Sequence, residues 1–361
     1  MSDRAIPQKR ARVKSGNMNV FFILIGFIAI ITIVQMLFIK PGSFPTMISP
    51  SNLMNIFMQV SATGIMAMGM TMVMIAGGID LSVGMLTSFV ALYTAKSFID
   101  WHYSLAVALI ASVAFAVLFE SVMGWVISRL KVEPFIITLG GMICFRGIAL
   151  LIVNSQEVSM QGALENLKNS IAPPIKDPAG LIINVPPYIF VFLAITVIVW
   201  WVLKYTKYGR RIYAVGANPQ AAYLAGINVK NVILSTYALN GLIVGIGAIC
   251  LLARVNTAII TTGQNKEIDV IAAAVIGGIA MSGGKGNAWG VFLGAILMGA
   301  IENGMNILRL NAEWQFVAKG LIIIGAVSAG AVAVKLQNRR QLMAQQLEAK
   351  HENPIDVQAA P

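Results

Sequence analysis

Residues 53–99 read LMNIFMQVSATGIMAMGMTMVMIAGGIDLSVGMLTSFVALYTAKSFI, two apolar runs (53–76 and 81–99) joined through Ala76-Gly-Gly-Ile-Asp-Leu-Ser-Val-Gly84. Each run is long enough to cross a hydrocarbon core about 30 Å thick. One carboxylate, Asp80, stands at the junction, surrounded by Gly77, Gly78, Ser82 and Gly84. The pattern predicts a helical hairpin in a membrane with a tight, glycine-lined turn.

The rest of the chain repeats it. Of 361 residues, 57% are hydrophobic and 11% charged, against about 45–50% and about 25% in soluble domains. Apolar runs at 20–39, 53–76, 81–99, 104–128, 134–154, 188–204, 232–253, 268–282, 288–309 and 317–334 predict an all-α polytopic membrane protein with about ten transmembrane helices. A basic segment (1–19), a transmembrane domain (20–334) and a polar tail (335–361) divide the chain, with longer loops at 155–187 and 204–231.

Charge orients these spans. With the N-terminus in the cytoplasm, alternation places 17 of the 26 lysines and arginines on the cytoplasmic side, as the positive-inside bias requires. Both termini are then cytoplasmic. The net charge of +11 is read as this bias and not as a nucleic-acid partner. The first run, Val20 to Ile39, exceeds a signal-peptide core and lacks a small-x-small cleavage site, so it is read as a retained helix. Cys144 and Cys250 lie in apolar runs without ligand spacing and are expected to be buried thiols.

The inner loop carries the clearest local signal. Asn218 is a good N-cap and Pro219 follows at the first helical position, where a missing N–H costs nothing. Gln220, Ala221, Ala222, Tyr223, Leu224 and Ala225 favour helix, and Gly226 supplies a left-handed stop. Such a short helix is unstable alone in water, so it needs a surface. Only Tyr223 and Leu224 are bulky, which argues for docking on a protein and against insertion into lipid.

One internal echo accompanies it. Gly77-Gly-Ile-Asp-Leu-Ser-Val-Gly84 returns as Gly277-Gly-Ile-Ala-Met-Ser-Gly-Gly284, and alternation puts both at cytoplasmic hairpin ends. The shared task is a tight turn. By contrast Ser282-Gly-Gly-Lys-Gly286 fails as a phosphate loop, because Ile279 replaces its first glycine and Gly286 its Ser/Thr. His102 and His351, the only histidines, lie outside the spans. No catalytic centre, metal site or cofactor is expected in this chain.

YGRRIYAVGANPQAAYLAGI (208–227) together with AGGIDLSVG resembles the permease subunits of bacterial ABC importers for simple sugars, the ribose, galactose, xylose and arabinose group. Further matches are Glu133-Pro-Phe-Ile-Ile-Thr-Leu-Gly140, Glu267-Ile-Asp269 leading into Val275-Ile-Gly-Gly278, and Trp314-Gln315 before Lys319-Gly320. The resemblance covers about residues 50–330 and implies a type II-like importer permease in the bacterial inner membrane. It implies two permease copies around a monosaccharide pathway, an extracytoplasmic sugar-binding protein, and cytoplasmic ATPases that hold the ATP and magnesium. In that reading Gly216 and residues 218–226 form the helix that couples to the ATPase. A secondary sugar or nucleoside transporter driven by an ion gradient would use similar spans, but gives the capped inner helix no role. Related permeases also carry nucleosides.

Ionisable groups inside spans are costly and face a partner or a cavity. Here they are Glu120, Arg146 and Glu302, with Asp80, Glu267 and Asp269 nearer the edges. Arg146, Glu302 and its neighbour Asn303 either line the sugar route or pair structurally between helices. Glu267 and Asp269 suit a helix start. Asp80 either caps the third helix, whose first turn would be Leu81-Ser82-Val83, as part of a gating hinge with Gly77, Gly78, Ser82 and Gly84, or touches substrate. The seven methionines between Met54 and Met74 are helix packing or an adaptable pore lining.

Overall fold

The computed structural model describes residues 16–39, 45–153, 156–171, 182–311 and 313–322, with a few positions between 173 and 180 and between 324 and 343. Residues to Asn311 form one compact unit and those from Ala312 another. In the first, the helices are α1 (Gly16–Val34), α2 (Pro50–Ile75), α3 (Val83–Ile99), α4 (Leu105–Leu130), α5 (Pro134–Val153), α6 (Glu165–Lys168), α7 (Tyr188–Tyr205), α8 (Lys207–Ala217), α9 (Pro219–Leu224), α10 (Val229–Val255), α11 (Lys266–Ile276) and α12 (Ala288–Ile307). Two short strands, β1 (Val158–Ser159) and β2 (Thr257–Ala258), pair antiparallel. In the second unit residues 313–322 are helical.

Polar side chains set the helix starts. Ser49 precedes Pro50, and its hydroxyl accepts the Asn52 amide at 3.3 Å to open α2. Ser104, Asn228 and Asn287 cap α4, α10 and α12 in the same way. Each supplies an acceptor to an amide that has no carbonyl partner in the first turn.

Helix α2 is the axis of the bundle. It packs against α7, α10 and α12. Met66, Met68, Met70, Met72 and Met74 are at most 2% exposed, so these five pack between helices, whereas Met54 and Met58 are half-buried. Helices α4 and α10 run antiparallel with their backbones in close approach. A methyl group on Gly124 would fall 2.8 Å from Tyr237 Cβ, and one on Gly241 2.6 Å from the Ala116 carbonyl oxygen. Such small-residue contacts hold helices together where lipid removes the usual hydrophobic drive.

The outer faces suit hydrocarbon. Phe22, Ile30, Ile110, Leu118, Ile136 and Leu151 on α1, α4 and α5 are all more than half exposed. Cys250 is buried as expected, but Cys144 is exposed. It lies on α5, whose outward side no other described residue covers at this position.

Among the described residues, seven helices are long and apolar enough to cross a membrane: α1, α2, α4, α5, α7, α10 and α12. Two further expected spans are shorter. That over 81–99 is the 17-residue α3, and that over 268–282 is cut to the 11 residues of α11. At 1.5 Å per residue they are about 25 and 16 Å long. For α11 the cause is local: Gly278 (φ +88°) is left-handed, a conformation that ends a helix and that glycine alone adopts freely. Gly77 (φ +91°) ends α2 in the same way, and α3 begins only at Val83. The expected span over 317–334 lies partly outside the described residues, as do most of 1–19 and 335–361. The loop 204–231 holds two helices, α8 and α9, where one was expected. The loop 155–187 holds β1, α6 and an isolated bridge between Lys176 and Ile182.

Candidate functional site

The basic residues Arg129, Lys131, Lys204, Lys207, Arg210, Arg211 and Lys230 gather where α4 and α7 end and α8 and α10 begin. At this basic end α8 is capped by Thr206, whose hydroxyl oxygen accepts the Gly209 amide at 3.0 Å. It buries Ile212, Val215 and Gly216, and exposes Lys207, Arg210 and Arg211. The chain then turns at Asn218, extended at φ −162°.

Helix α9 forms as its sequence predicts. Asn218 Oδ1 accepts the Ala221 amide at 3.0 Å, Pro219 opens the helix, and Gly226 (φ +80°) closes it while the Ile227 amide donates to Ala222 O at 3.0 Å. Gln220, Ala221 and Ala225 are exposed. Ala222 is 4% exposed and faces its own chain, whereas Tyr223 is 72% and Leu224 85% exposed. Two bulky apolar side chains therefore point away from the bundle.

The two glycine turns converge on the end of α8. A methyl group on Gly216 would fall on the carbonyl oxygen of Ile75, the last residue of α2. The same carbonyl accepts the Gly284 amide at 2.8 Å. A methyl group on Gly283 (φ +79°) would lie 2.9 Å from both Gly216 O and Gly77 Cα. Tyr213 Oη donates to Gly286 O at 2.8 Å, and the Tyr208 and Ser235 hydroxyls are 2.8 Å apart. Burial pushes the pKa of both phenols up, partly offset at Tyr208 by Ser235, so both remain neutral donors. Three stretches distant in sequence thus share one backbone junction.

From Gly77 the chain re-enters the bundle. Asp80 is fully buried. Its Oδ1 accepts the Ser82 amide at 2.8 Å, its Oδ2 accepts Asn240 Nδ2 at 2.7 Å, and Ser82 Oγ lies 2.7 Å from Oδ1. Ser82 Oγ is also 3.1 Å from Oε1 of Glu120, likewise fully buried. Glu120 and Asn240 stand about three helical turns from the basic ends of α4 and α10. Asp80 is therefore level with the middles of those helices, and not at the hairpin end where alternation puts it. Its amide partner Ser82 immediately precedes α3, which begins at Val83.

Gly84, in the first turn of α3, abuts the start of α11. A methyl group there would fall on Glu267 Oε2, and the Gly263 amide donates to Ser88 Oγ at 2.9 Å. Glu267 and Asp269 occupy the first turn of α11, as expected. Two partial-length helices thus meet with their N-termini adjacent.

The structure does not bring Arg146, Glu302 and Asn303 together. Arg146 is exposed near the middle of α5. Glu302 Oε2 accepts Gln59 Nε2 at 2.7 Å. Asn303 and Asn52 exchange amide hydrogen bonds at 2.9 and 3.0 Å, joining α12 to α2. Sequence reasoning missed Asn240 and Tyr213. An amide inside the apolar run 232–253 was a visible signal for the first; nothing local marked the second.

Residues 52–327 match the protein family described as branched-chain amino acid transport system / permease component. The xylose transport system permease protein of Haemophilus influenzae is 32% identical, over 88% of this chain and 97% of its own length. The ribose import permease protein of Escherichia coli K12 is 34% identical, over 88% and 93%. That of Bacillus subtilis is 34% identical, over 78% and 85%. No solved structure matches the chain.

Proposed function

The chain belongs to the family of branched-chain amino acid transport system permease components, and on that premise we propose that it is the transmembrane subunit of an ATP-driven monosaccharide importer. It is a multi-pass protein of the bacterial inner membrane. Ribose and xylose, the sugars named for its relatives, are the first cargoes to test. The sugar arrives on an extracytoplasmic binding protein, and ATP and magnesium are held by a separate ATPase. The basic end faces the cytoplasm, in keeping with the positive-inside bias.

The single observation that carries this reading is the exposed Tyr223–Leu224 pair on α9, a helix too short to stand alone. Seated in the ATPase, α9 transmits its movement through Gly216 to the end of α2 and to both glycine turns. A second copy of the chain completes the pathway. A guanidinium facing lipid in mid-span is costly, so the exposed Arg146 supports placing this face of α5 against the other copy and a watered route. Gly140 and Gly147 are open on the same helix, and small residues allow close approach.

Reconstitution tests the reading. Proteoliposomes holding the chain, its ATPase and its binding protein should accumulate labelled ribose or xylose only when ATP is supplied. Accumulation by this chain alone, driven by a proton or sodium gradient, would overturn it.

A further inference from the structure

The Asp80–Ser82–Glu120 cluster contains a hydrogen that the three side chains cannot supply if both acids are ionised. A serine hydroxyl has one hydrogen to give. Ser82 Oγ lies 2.7 Å from Asp80 Oδ1 and 3.1 Å from Glu120 Oε1, and the shorter contact takes it. The longer contact then places two oxygens face to face with no hydrogen between them.

The surroundings offer no other way to neutralise the pair. Asp80 and Glu120 are both fully buried. The polar groups in contact with them are Ser82 from the turn and Asn240 from α10; Tyr237 of α10 and Thr138 of α5 bond the neighbouring Ile79 carbonyl, and Glu267 of α11 stands against Gly84. None is cationic. Among the described residues no three His, Cys, Asp or Glu side chains are grouped to hold a metal ion. Two ionised carboxylates in contact, out of water and without a counter-ion, are strongly disfavoured.

A remaining oddity fits the same solution. Glu120 Oε2 is buried and has no hydrogen-bond partner. On a carboxylate that atom would carry desolvated charge; on a carboxylic acid it is a neutral carbonyl oxygen, far cheaper to leave unmet. Asp80, in contrast, accepts from the Ser82 amide, the Ser82 hydroxyl and the Asn240 amide, the pattern of an ionised group.

We propose that Glu120 is a proton-binding site inside the bundle, and that Glu120 Oε1–H donates to Ser82 Oγ while Ser82 Oγ–H donates to Asp80 Oδ1. The ligand is a single proton taken from water. It latches the re-entrant turn to α4. Removing it leaves two carboxylates opposed across Ser82, which pushes the turn away from α4. The same turn carries Gly77, against which Gly283 and Gly216 are seated, so the latch bears on the junction with α8.

The test needs neither cargo nor ATPase, and so succeeds or fails independently of the importer reading. The purified chain in lipid nanodiscs is examined by infrared spectroscopy in H2O and D2O, and by thermal melting across pH. At neutral pH the wild type should show a protonated-carboxyl C=O band, deuterium-sensitive, that is lost in Glu120→Gln. Its melting temperature should fall as pH rises from the ordinary carboxylate range, where unfolded Glu120 ionises, to the pH at which the folded state loses the proton. That of Glu120→Gln should stay level, because an amide cannot ionise and can still donate to Ser82. Identical carboxyl bands in wild type and Glu120→Gln would overturn the proposal, as would the same fall with rising pH in both. A band that survives Glu120→Gln and vanishes in Asp80→Asn would move the proton to Asp80 and refute the assignment.

Discussion

The amide of Gly284 donates to the carbonyl of Ile75 at 2.8 Å, and against that same carbonyl stands Gly216 of α8. The second copy of the Gly-Gly-Ile turn is thus bonded to the last residue of α2, which leads into the first copy, with the inner-loop helix seated on the bond. Any push on α8 reaches the ends of α2 and α11 through backbone, which yields far less than side chains do.

Gly216→Ala tests this seating. Its methyl group would fall on the Ile75 carbonyl oxygen, and both partners are backbone, so the helices must part. Overpacking of this kind costs about 1–3 kcal/mol. The expected result is a lower melting temperature, together with sugar uptake that falls more than ATP hydrolysis in the reconstituted complex. Wild-type melting and uptake would mean that α8 does not rest on α2 as described.

The exposed and buried sides of α9 should separate docking from folding. Tyr223→Ala and Leu224→Ala remove side chains that point away from the bundle, and should abolish co-purification of the ATPase with no loss of melting temperature. Asn218→Ala removes the cap at the Ala221 amide, worth about 1 kcal/mol, and should weaken ATPase binding about 5-fold. Ala222→Trp behaves differently, because Ala222 faces its own chain; it should lower the melting temperature first. ATPase retention by the Tyr223 and Leu224 variants would remove α9 from the interface.

These contrasts show what the sequence makes legible. The α9 cap and stop depend on Asn218, Pro219 and Gly226, neighbours whose chemistry is local, and they form as read. The span pattern depends on apolar length and holds for the seven long helices. What escaped was depth. Alternation places Asp80 at a hairpin end, yet the turn folds back until the carboxylate meets Glu120 and Asn240, which belong to helices far along the chain. Residue-by-residue hydropathy cannot distinguish a full span from the shortened α11, because Ile279 and Ala280 continue the apolar run past the Gly277–Gly278 break. The partnership of Tyr213 with Gly286 is a tertiary fact that no spacing announces.

Arg146 offers a test of the second copy. Its side chain is exposed in mid-span, so Arg146→Leu should leave the stability of the monomeric chain within about 0.5 kcal/mol of wild type. ATP-driven uptake should nevertheless fall about tenfold or more, and the ratio of dimer to monomer in nanodiscs should change. A drop in monomer stability would place the partner of the guanidinium within its own chain.

The reciprocal Asn52–Asn303 pair decides between a helix staple and a sugar contact at Asn303. Each amide both gives to and accepts from the other, and interhelical pairs of this kind are worth about 0.6 kcal/mol on average and up to about 1.7. Asn303→Leu strands the Asn52 amide and should lower the melting temperature. Asn52→Leu should cost more, because Asn52 Nδ2 also donates to the Met47 carbonyl at 3.2 Å. In the double variant the penalties should be less than additive, since the second substitution removes a group already stranded. Uptake should track stability through the whole cycle. If Asn303→Leu instead abolishes uptake at an unchanged melting temperature, its side chain meets the cargo, and the α2–α12 contact is incidental.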